Sequence, residues 1–495
     1  MEFFDGLWIT RLLFQRGLAA IYLLAFVCAL NQFRPLLGER GLLPVPEFLA
    51  HTPFWRAPSL FHLHYSDRFF AAAAWIGIVL SVVALTGLSE SMGIWLSMGV
   101  WLALWLLYLS IVNVGQTFYG FGWESMLVEA GFFSAFLGPS TLAPSAVTIF
   151  LLRWMLFRVE FGAGLIKLRH DRCWRDLTCL FYHHETQPMP NALAWYAHRL
   201  PRPVLSGGVV FSHFVQLAAP FGLFAPQPIA AIAGAFIIAH QLVLIATGNY
   251  AWLNWLTIVL ALTAFGDAQL EIVVPFAAPS LEARPLVYDI GLALLALITL
   301  GLSVQPTKNF FSRYQRMNHS YNPLHLVNAY GAFGQVTKQR YEVVVEGTTA
   351  ERPSERSDWK AYEFKGKPGD PQRRPPQIAP YHLRLDWLTW FIPFSLVRTR
   401  GAIDGGIDFW FLRFVTKLLT ADRAVSKLLR TDPFRDHPPK FIRVHLYRYR
   451  YTTREDRRTT GAWWNRTFIA ELMPPMGLTP AQRGIRPAEE LRPPS

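Results

Sequence analysis

The sequence predicts a polytopic α-helical membrane bundle followed by a C-terminal β-rich extramembrane domain, an α+β architecture. Three observations carry this. Of the 495 residues, 52% are hydrophobic and only 16% charged, against roughly 25% charged in an ordinary soluble domain, so lipid is the solvent for much of the chain. The charge is segregated: residues 305–495 hold 32 Lys and Arg against 18 Asp and Glu, and residues 1–304 hold 15 against 16. The near-neutral part also breaks into apolar runs close to the 20 or so residues that a spanning helix needs. The change of composition near residue 305 is read as the domain boundary.

In order, the runs are 17–33, 69–88, 93–112, 143–168, 203–225, 228–247, a short 250–265, and 287–304. The first has no small-x-small cleavage site behind it and reads as an anchor. Segment 119–138 is apolar but holds Glu124 and Glu129, so it spans, re-enters or lies buried among other helices. The expectation is eight or nine helices within 1–304. If segment 119–138 spans, loops 34–68 and 169–202, with four and five arginines, share a side with the C-terminal domain, and the charge rule weakly makes that side cytoplasmic.

Past residue 305, "RYEVVVEGT" (340–348), "DWKAYEFKG" (358–366) and "YHLRLDWLTWF" (381–391) read as strands of an antiparallel sheet. The stretch between the last two is too rich in proline for a sheet centre. Residues 408–430 read as an amphipathic helix broken near Thr420, and 440–453 as a long strand. The domain is taken as 305–475. The Pro- and Arg-rich chain from Met473, and 476–495 in particular, reads as a disordered tail.

Within the apolar part, Arg153, Glu160 and Lys167 are seven apart and lie along one helical stripe. Gly164 leaves a notch on that stripe, and Arg158 points about 140° away. A charge at bilayer depth costs roughly 2.5–3.5 kcal/mol, so the stripe faces protein or a wet cavity. Glu124 and Glu129, five apart, cannot share a partner. One neutralises Arg153 or Arg158, and the other looks elsewhere. This intramembrane polar network is either a structural lock between helices or a cavity in which Lys167 and Glu160 move a proton or bind an anion. A third option has Lys167 and Arg153 snorkelling to opposite interfaces.

Loop 168–202 opens with "LRHDRCWRDLTCLFYHHETQPMPN". Cys173 and Cys179 are too far around a regular helix to bridge, so a disulfide requires an irregular loop. The alternative is two separate thiols. Cys28 lies in an apolar run, and three cysteines exclude a disulfide-rich scaffold or a four-cysteine metal site. The neighbours His183, His184 and Glu185 do not converge on one ion, and no metal or cofactor is expected. Nucleophile-elbow, P-loop and dinucleotide fingerprints are missing. So are nucleic-acid signatures, and the basic domain is read as facing anionic headgroups or staying solvated. His382, Arg384 and Asp386 fall on one face of the third strand and read as a solvated polar face.

Three separated stretches carry a resemblance that covers most of residues 10–475. "FGAGLIKLRHDRCWRDLTCLFYHHETQPMPN" (161–191) resembles the signature loop of the lipase maturation factor family. "NAYGAFGQVTKQRYEVVVEGT" (328–348) and "APYHLRLDWLTWF" (379–391) resemble its C-terminal motifs. In the loop the motif positions are Asp171, Trp174, Arg175, Asp176, Glu185, Gln187, Pro188, Pro190 and Asn191. In the C-terminal domain they are Tyr330, Gly331, Phe333, Arg340, Glu342, His382, Arg384, Asp386 and Trp387.

The resemblance implies an integral membrane protein that helps secreted lipases, or other extracytoplasmic clients, reach an active folded state. It implies a C-terminal domain on the extracytoplasmic side, which overrides the charge count because long domains cross membranes regardless of charge. It also favours a Cys173–Cys179 disulfide, since that loop would then face an oxidising compartment. "FGAGLIKL" (161–168) is also similar to the stretch around the essential lysine of vitamin K-dependent gamma-carboxylase, with Lys167 on that lysine. A lysine base needs a lowered pKa, which Glu160 opposes, so the position carries over and the reaction does not.

Two functions therefore stand. The first is a non-enzymatic maturation factor with a client surface on the exposed sheet. The second is a membrane enzyme using Lys167 and Glu160 on a quinone, a lipid or a client side chain. A transporter is disfavoured, because no pair of interrupted segments suggests inverted repeats. The Arg- and Ala-rich composition points to a bacterium and hence its inner membrane, with clients that need not be lipases. In a eukaryote the site would be the endoplasmic reticulum membrane, where the sequons at Asn318 and Asn465 would matter.

Overall fold

The structure, a computed structural model, describes residues 6–272, 274, 279–397 and 408–478. The apolar runs become helices α1 (Trp8–Leu37), α2 (Asp67–Thr86), α3 (Ile94–Val114), α4 (Gly122–Ser134) and α5 (Ala146–Arg169). They continue as α6 (Arg202–Gly222), α7 (Ile229–Thr247), α8 (Leu253–Ala261) and α9 (Leu286–Phe311). Helix α1 is longer than its apolar run because the two arginines of its first turns find partners. Arg11 donates to the Leu142 carbonyl at 2.7 Å, and Arg16 pairs with Glu90. The Ser66 hydroxyl caps α2 by accepting from Phe69 N, and Gly87 ends it with φ +87°.

Among the described residues six helices, α1, α2, α3, α6, α7 and α9, are long and apolar enough to cross a bilayer. Each of the nine apolar stretches read from the sequence corresponds to one of α1–α9, and six of these helices reach that length and hydropathy. At 13 and nine residues, α4 and α8 are too short, and α5 carries its ionisable groups in the interior. The lipid-facing surface is supplied instead by exposed side chains such as Trp75, Ile76 and Val79 of α2 and Leu294, Leu297 and Leu300 of α9. The protein is an integral membrane protein.

The C-terminal part holds strands β1 (Arg340–Thr348), β2 (Lys360–Ala361), β3 (Phe441–Tyr451) and β4 (Trp464–Met476) in one antiparallel sheet of order β2-β1-β3-β4. Helix α10 (Arg384–Thr389) lies between β2 and β3, followed by α11 (Phe409–Leu419). Helix α11 buries Trp410, Phe411, Phe414, Val415 and Leu418 on one face and stops at Thr420, and a short turn Arg423–Ser426 follows.

Three sequence expectations are corrected here. Residues 358–366 contribute only two residues to the sheet, because Tyr362 and Phe364 turn into the core. Residues 381–391 are not a strand but contain α10, and His382, Arg384 and Asp386 are buried, not solvated. A short helix buried on every side leaves no amphipathic period to read. The chain at Met473 is not yet a tail: β4 runs to Met476, its Pro474 and Pro475 tolerated on an edge strand that carries register shifts. The remainder of the expected tail, from 479 on, lies outside the described residues.

One buried apolar cluster runs from Leu18, Tyr22 and Trp101 of the bundle to Val345, Trp387 and Ile442 of the sheet part. The composition boundary at 305 falls inside α9. The two parts approach closely at Gly162 of α5, where an added Cβ would stand 2.4 Å from the Tyr330 carbonyl oxygen. Backbone cannot yield as a side-chain tip can. Gly162→Ala is therefore expected to destabilise by about 1–3 kcal/mol, read as a lower thermal midpoint in detergent. The control Gly207→Ala meets nothing within 4 Å and is expected to leave the midpoint unchanged or slightly raised.

Candidate functional site

The stripe on α5 divides into two parts. Arg153 donates through Nε to the Thr263 carbonyl at 2.7 Å and through Nη1 to the Leu223 carbonyl at 3.1 Å. These carbonyls end α8's last turn and α6, so a cation meets two negative helix ends. Glu160 and Lys167 form a separate relay. Lys167 Nζ donates to Gln216 Oε1 at 2.7 Å and to Ser212 Oγ at 3.3 Å, and Gln216 Nε2 donates to Glu160 Oε2 at 3.2 Å. Gln241 Nε2 donates to Glu160 Oε1 at 2.8 Å, and Asn254 Nδ2 donates to Gln241 Oε1 at 2.7 Å. Both ionisable groups are buried.

Gln216 bridges them because residues Phe214–Ala218 of α6 are wound as a π-turn, a feature frequent at functional sites. The notch at Gly164 is filled by this turn: a Cβ there would stand 2.7 Å from Leu217 Cδ2 and 3.1 Å from Gln216 Cβ. The Trp174 ring closes the far side, 4.6 Å from Lys167 Nζ. Chemically, the arrangement is a lysine and a carboxylate joined through one amide and shielded from water.

Arg158, on another face of α5, pairs with Glu129 and donates to the Asn328 carbonyl at 2.7 Å. Glu129 Oε2 also accepts from Asn328 N at 3.0 Å, Asn328 Nδ2 at 2.9 Å and Tyr330 Oη at 2.8 Å. Glu124 turns away, as its spacing requires. It accepts from Arg384 Nη1 at 2.7 Å, from His382 Nδ1 at 3.2 Å and from the Tyr108 hydroxyl. The Arg384 guanidinium lies 3.5 Å over the Tyr119 ring, and Gln32 of α1 holds the backbone of His382 and Arg384 through both ends of its amide. Trp387 packs on Trp123 at 4.8 Å. Burial raises the Asp386 carboxyl, against the hydrogen bonds it accepts from Gly366 N and Lys367 N. Burial, aided by Arg384, lowers His382 to about 4 and keeps it neutral at pH 7.

The signature loop lies between the two halves. Cys173 and Cys179 are joined by a disulfide in an irregular turn with Leu177 at φ +57°, and with sulfurs joined they offer no thiolate to a metal. Asp171 accepts from Cys173 N at 3.0 Å and Val336 N at 3.1 Å, and Trp174 Nε1 donates to the Phe333 carbonyl at 2.8 Å. Arg340 of β1 donates to the carbonyls of Glu185, Gln187 and Pro188 and also pairs with Glu342. Lys367 adds a second cation to Glu342 at 2.8 Å.

Asn191 donates to Gln377 Oε1 at 2.7 Å, Glu185 accepts from Tyr451 N at 2.7 Å, and Gln187 accepts from Tyr250 Oη at 2.6 Å. Pro190 is buried beside them, and Gly331 lets its backbone lie against Met317. His183, next to Tyr250 and Phe333, is pushed down to about 3 by burial. Arg175 and Asp176 remain on the surface, where Asp176 pairs with Arg172. Sequence reasoning passed over Gln32, Ser212, Gln216, Gln241, Asn254 and Asn328. An amide within or beside an apolar run is the signal that would have found most of them, since polar groups at that depth bind helices together.

The chain matches known proteins over nearly its whole length. Residues 9–272 match the family described as lipase maturation factor transmembrane domain, and residues 326–474 the lipase maturation factor C-terminal domain. Lipase maturation factor 1 of Mus musculus is similar at 39% identity over 95% of this chain and 88% of its own. The Homo sapiens protein of that name is similar at 38% over 98% and 89%. Lipase maturation factor 2 of Xenopus tropicalis is similar at 27% over 94% and 82%. No solved structure matches the chain.

Two outcomes follow from the buried pairs. Removing one partner strands the other charge, so Arg384→Met is expected to cost about 3–5 kcal/mol. Pairing it with Glu124→Gln recovers part of that loss, as a double-mutant cycle of thermal midpoints would show. His382 protonates near 4 when folded, below its ordinary 6.5, so the unfolded chain takes up the proton first as pH falls. Its stabilisation is complete above pH 6.5 and lost progressively toward pH 4. His382→Asn is expected to flatten a plot of midpoint against pH in that window.

Proposed function

The chain belongs to the lipase maturation factor family, and we propose that it acts as a membrane-anchored maturation factor for extracytoplasmic proteins, lipases foremost. The observation that carries this is the identity of 38–39% over almost all of both chains with relatives named lipase maturation factor 1. On this reading the bundle and the sheet form one rigid platform, and the client meets the edge strand β4, where Phe468 and Ile469 are exposed and an added strand has backbone groups to pair with. The domain and the signature loop face the extracytoplasmic side. The Cys173–Cys179 disulfide supports that placement, because disulfides persist in oxidising compartments. In a bacterium the membrane is the inner one, and in a eukaryote that of the endoplasmic reticulum.

The relay of Lys167, Gln216 and Glu160 favours a second reading, a membrane enzyme acting on a quinone, a lipid or a client side chain. On the first reading the same relay locks α5 to α6 and α7. One experiment separates the two. The gene is deleted in its host, and secreted lipases are measured as activity and as protein amount, with complementation by wild type and by Lys167→Arg. A fall in activity per milligram that both versions restore is expected. Rescue by wild type alone, with the variant equally abundant, would establish the enzyme, since arginine keeps the charge but does not release its proton. No change on deletion would refute lipase maturation as its role.

A further inference from the structure

Where β3 ends, the chain gathers arginines against the foot of a membrane span. The helical turn Arg454–Thr460 follows β3 and is fixed by a reciprocal cap between Thr453 and Asp456. Its Arg457 lies over the Trp463 ring at 3.6 Å and the Trp195 ring at 4.6 Å and donates to Tyr196 Oη at 3.1 Å. Arg199 covers the Trp195 ring at 3.6 Å and donates to the Trp195 carbonyl at 2.6 Å. Tyr196 and Arg199 immediately precede Arg202, where α6 begins. The stack therefore adjoins the N-terminal end of a helix long and apolar enough to cross a bilayer.

Arg454 and Arg458 on the same turn, Arg450 at the end of β3 and Arg202 at the start of α6 are exposed, the last lying 5.7 Å over the Phe181 ring. Among the described residues none of the six arginines is ion-paired. The carboxylate of Asp456 is taken by the cap, while Glu455 on the same turn and Glu185, near Arg199 and His198, oppose them. Burial lowers Arg199 to about 10, and Arg454 and Arg457 push the same way against Glu185. Cations in excess of the carboxylates beside them repel one another, and a bound anion relieves that repulsion. Beside them, Leu193 and Tyr196 of the short helix Ala192–Ala197, Leu200 of the turn that follows and Val204 in the first turn of α6 are 46–54% exposed, and Val210 and Phe214 farther along α6 are exposed as well.

We propose that this cluster binds the phosphate of an anionic membrane phospholipid, with the acyl chains lying along the exposed apolar side chains from Leu193 to Val204. Arginine suits this role better than lysine, since its planar and weakly hydrated fork binds phosphate oxygens in pairs. The adjoining apolar side chains select a lipid over a soluble anion. Bound lipid clips the C-terminal end of β3 to the bilayer, so the sheet is held through that inner strand as well as through α4. The inference is independent of the proposed maturation role.

The test uses the full chain in detergent, titrated with phosphatidylglycerol or phosphatidylcholine and read by native mass spectrometry as lipids retained. Preference for phosphatidylglycerol is expected. The exposed pair Arg454→Gln with Arg458→Gln is expected to weaken phosphatidylglycerol binding roughly thirtyfold and to leave phosphatidylcholine unchanged. Equal retention of the two lipids by wild type, or an unaltered preference in the double variant, would overturn the proposal. Should the variant not fold, the wild type alone decides, because its preference must shrink as salt is raised. A glutamate decapeptide that competes as tightly as the lipid would also overturn it and assign the cluster to an acidic protein segment.

Discussion

Two carboxylates on one short helix govern how the molecule is assembled. Glu124 and Glu129 of α4 lie inside the bundle, where a bare charge is not sustainable. Five residues apart, they face different directions, so no single cation serves both. Glu129 is neutralised by Arg158 of α5 and completed by donors from Asn328 and Tyr330. Glu124 takes its cation from much farther along the chain, Arg384, with His382 beside it. The bundle's charge is thus incomplete until residues 382–384 are in place, and the hydrogen bonding of Glu129 until residues 328–330 are, and one apolar core crosses the composition boundary with them.

That dependence explains the neighbouring features. Residues 326–331 must lie flush against α5, and Gly162 provides the room. The signature loop then fills the angle between bundle and sheet. It fastens to the sheet through Arg340 and to the segment after Tyr330 through Asp171 and Trp174. The same tryptophan covers Lys167. A disturbance at the disulfide, the loop or the 326–336 segment therefore reaches the intramembrane relay through one side chain. Buried pairs of this kind contribute little net stability compared with apolar packing. What they contribute is orientation, holding an extramembrane sheet in one pose on a lipid-embedded base.

The apolar runs were legible because bilayer thickness imposes a length and a composition on any crossing helix. The strands β1 and β3 were legible from their alternation, and α11 from its stripe. The pairs around α4 were half legible. Helical geometry showed that the two glutamates diverge and that one meets an arginine of α5, but the second partner lay some 260 residues away on a segment misread as an exposed strand. Helix α10 and strand β4 went unread because a short helix buried all round and a strand closing on two prolines present no regular pattern. The amides that link Lys167 to Glu160 were missed since a lone Gln in an apolar run resembles a tolerated exception.

The sequence by itself determined the solvent of each part, the approximate position of each membrane helix, and which charges had to be hidden, because these depend on local composition and on helical periodicity alone. Only the tertiary structure decided which groups hide them. That Arg384 answers Glu124, that Gln216 on a π-turn joins Lys167 to Glu160, and that Arg340 grips the signature loop all depend on distances between segments far apart in the chain. Such distances are set by how the whole apolar surface packs, and no local pattern records them.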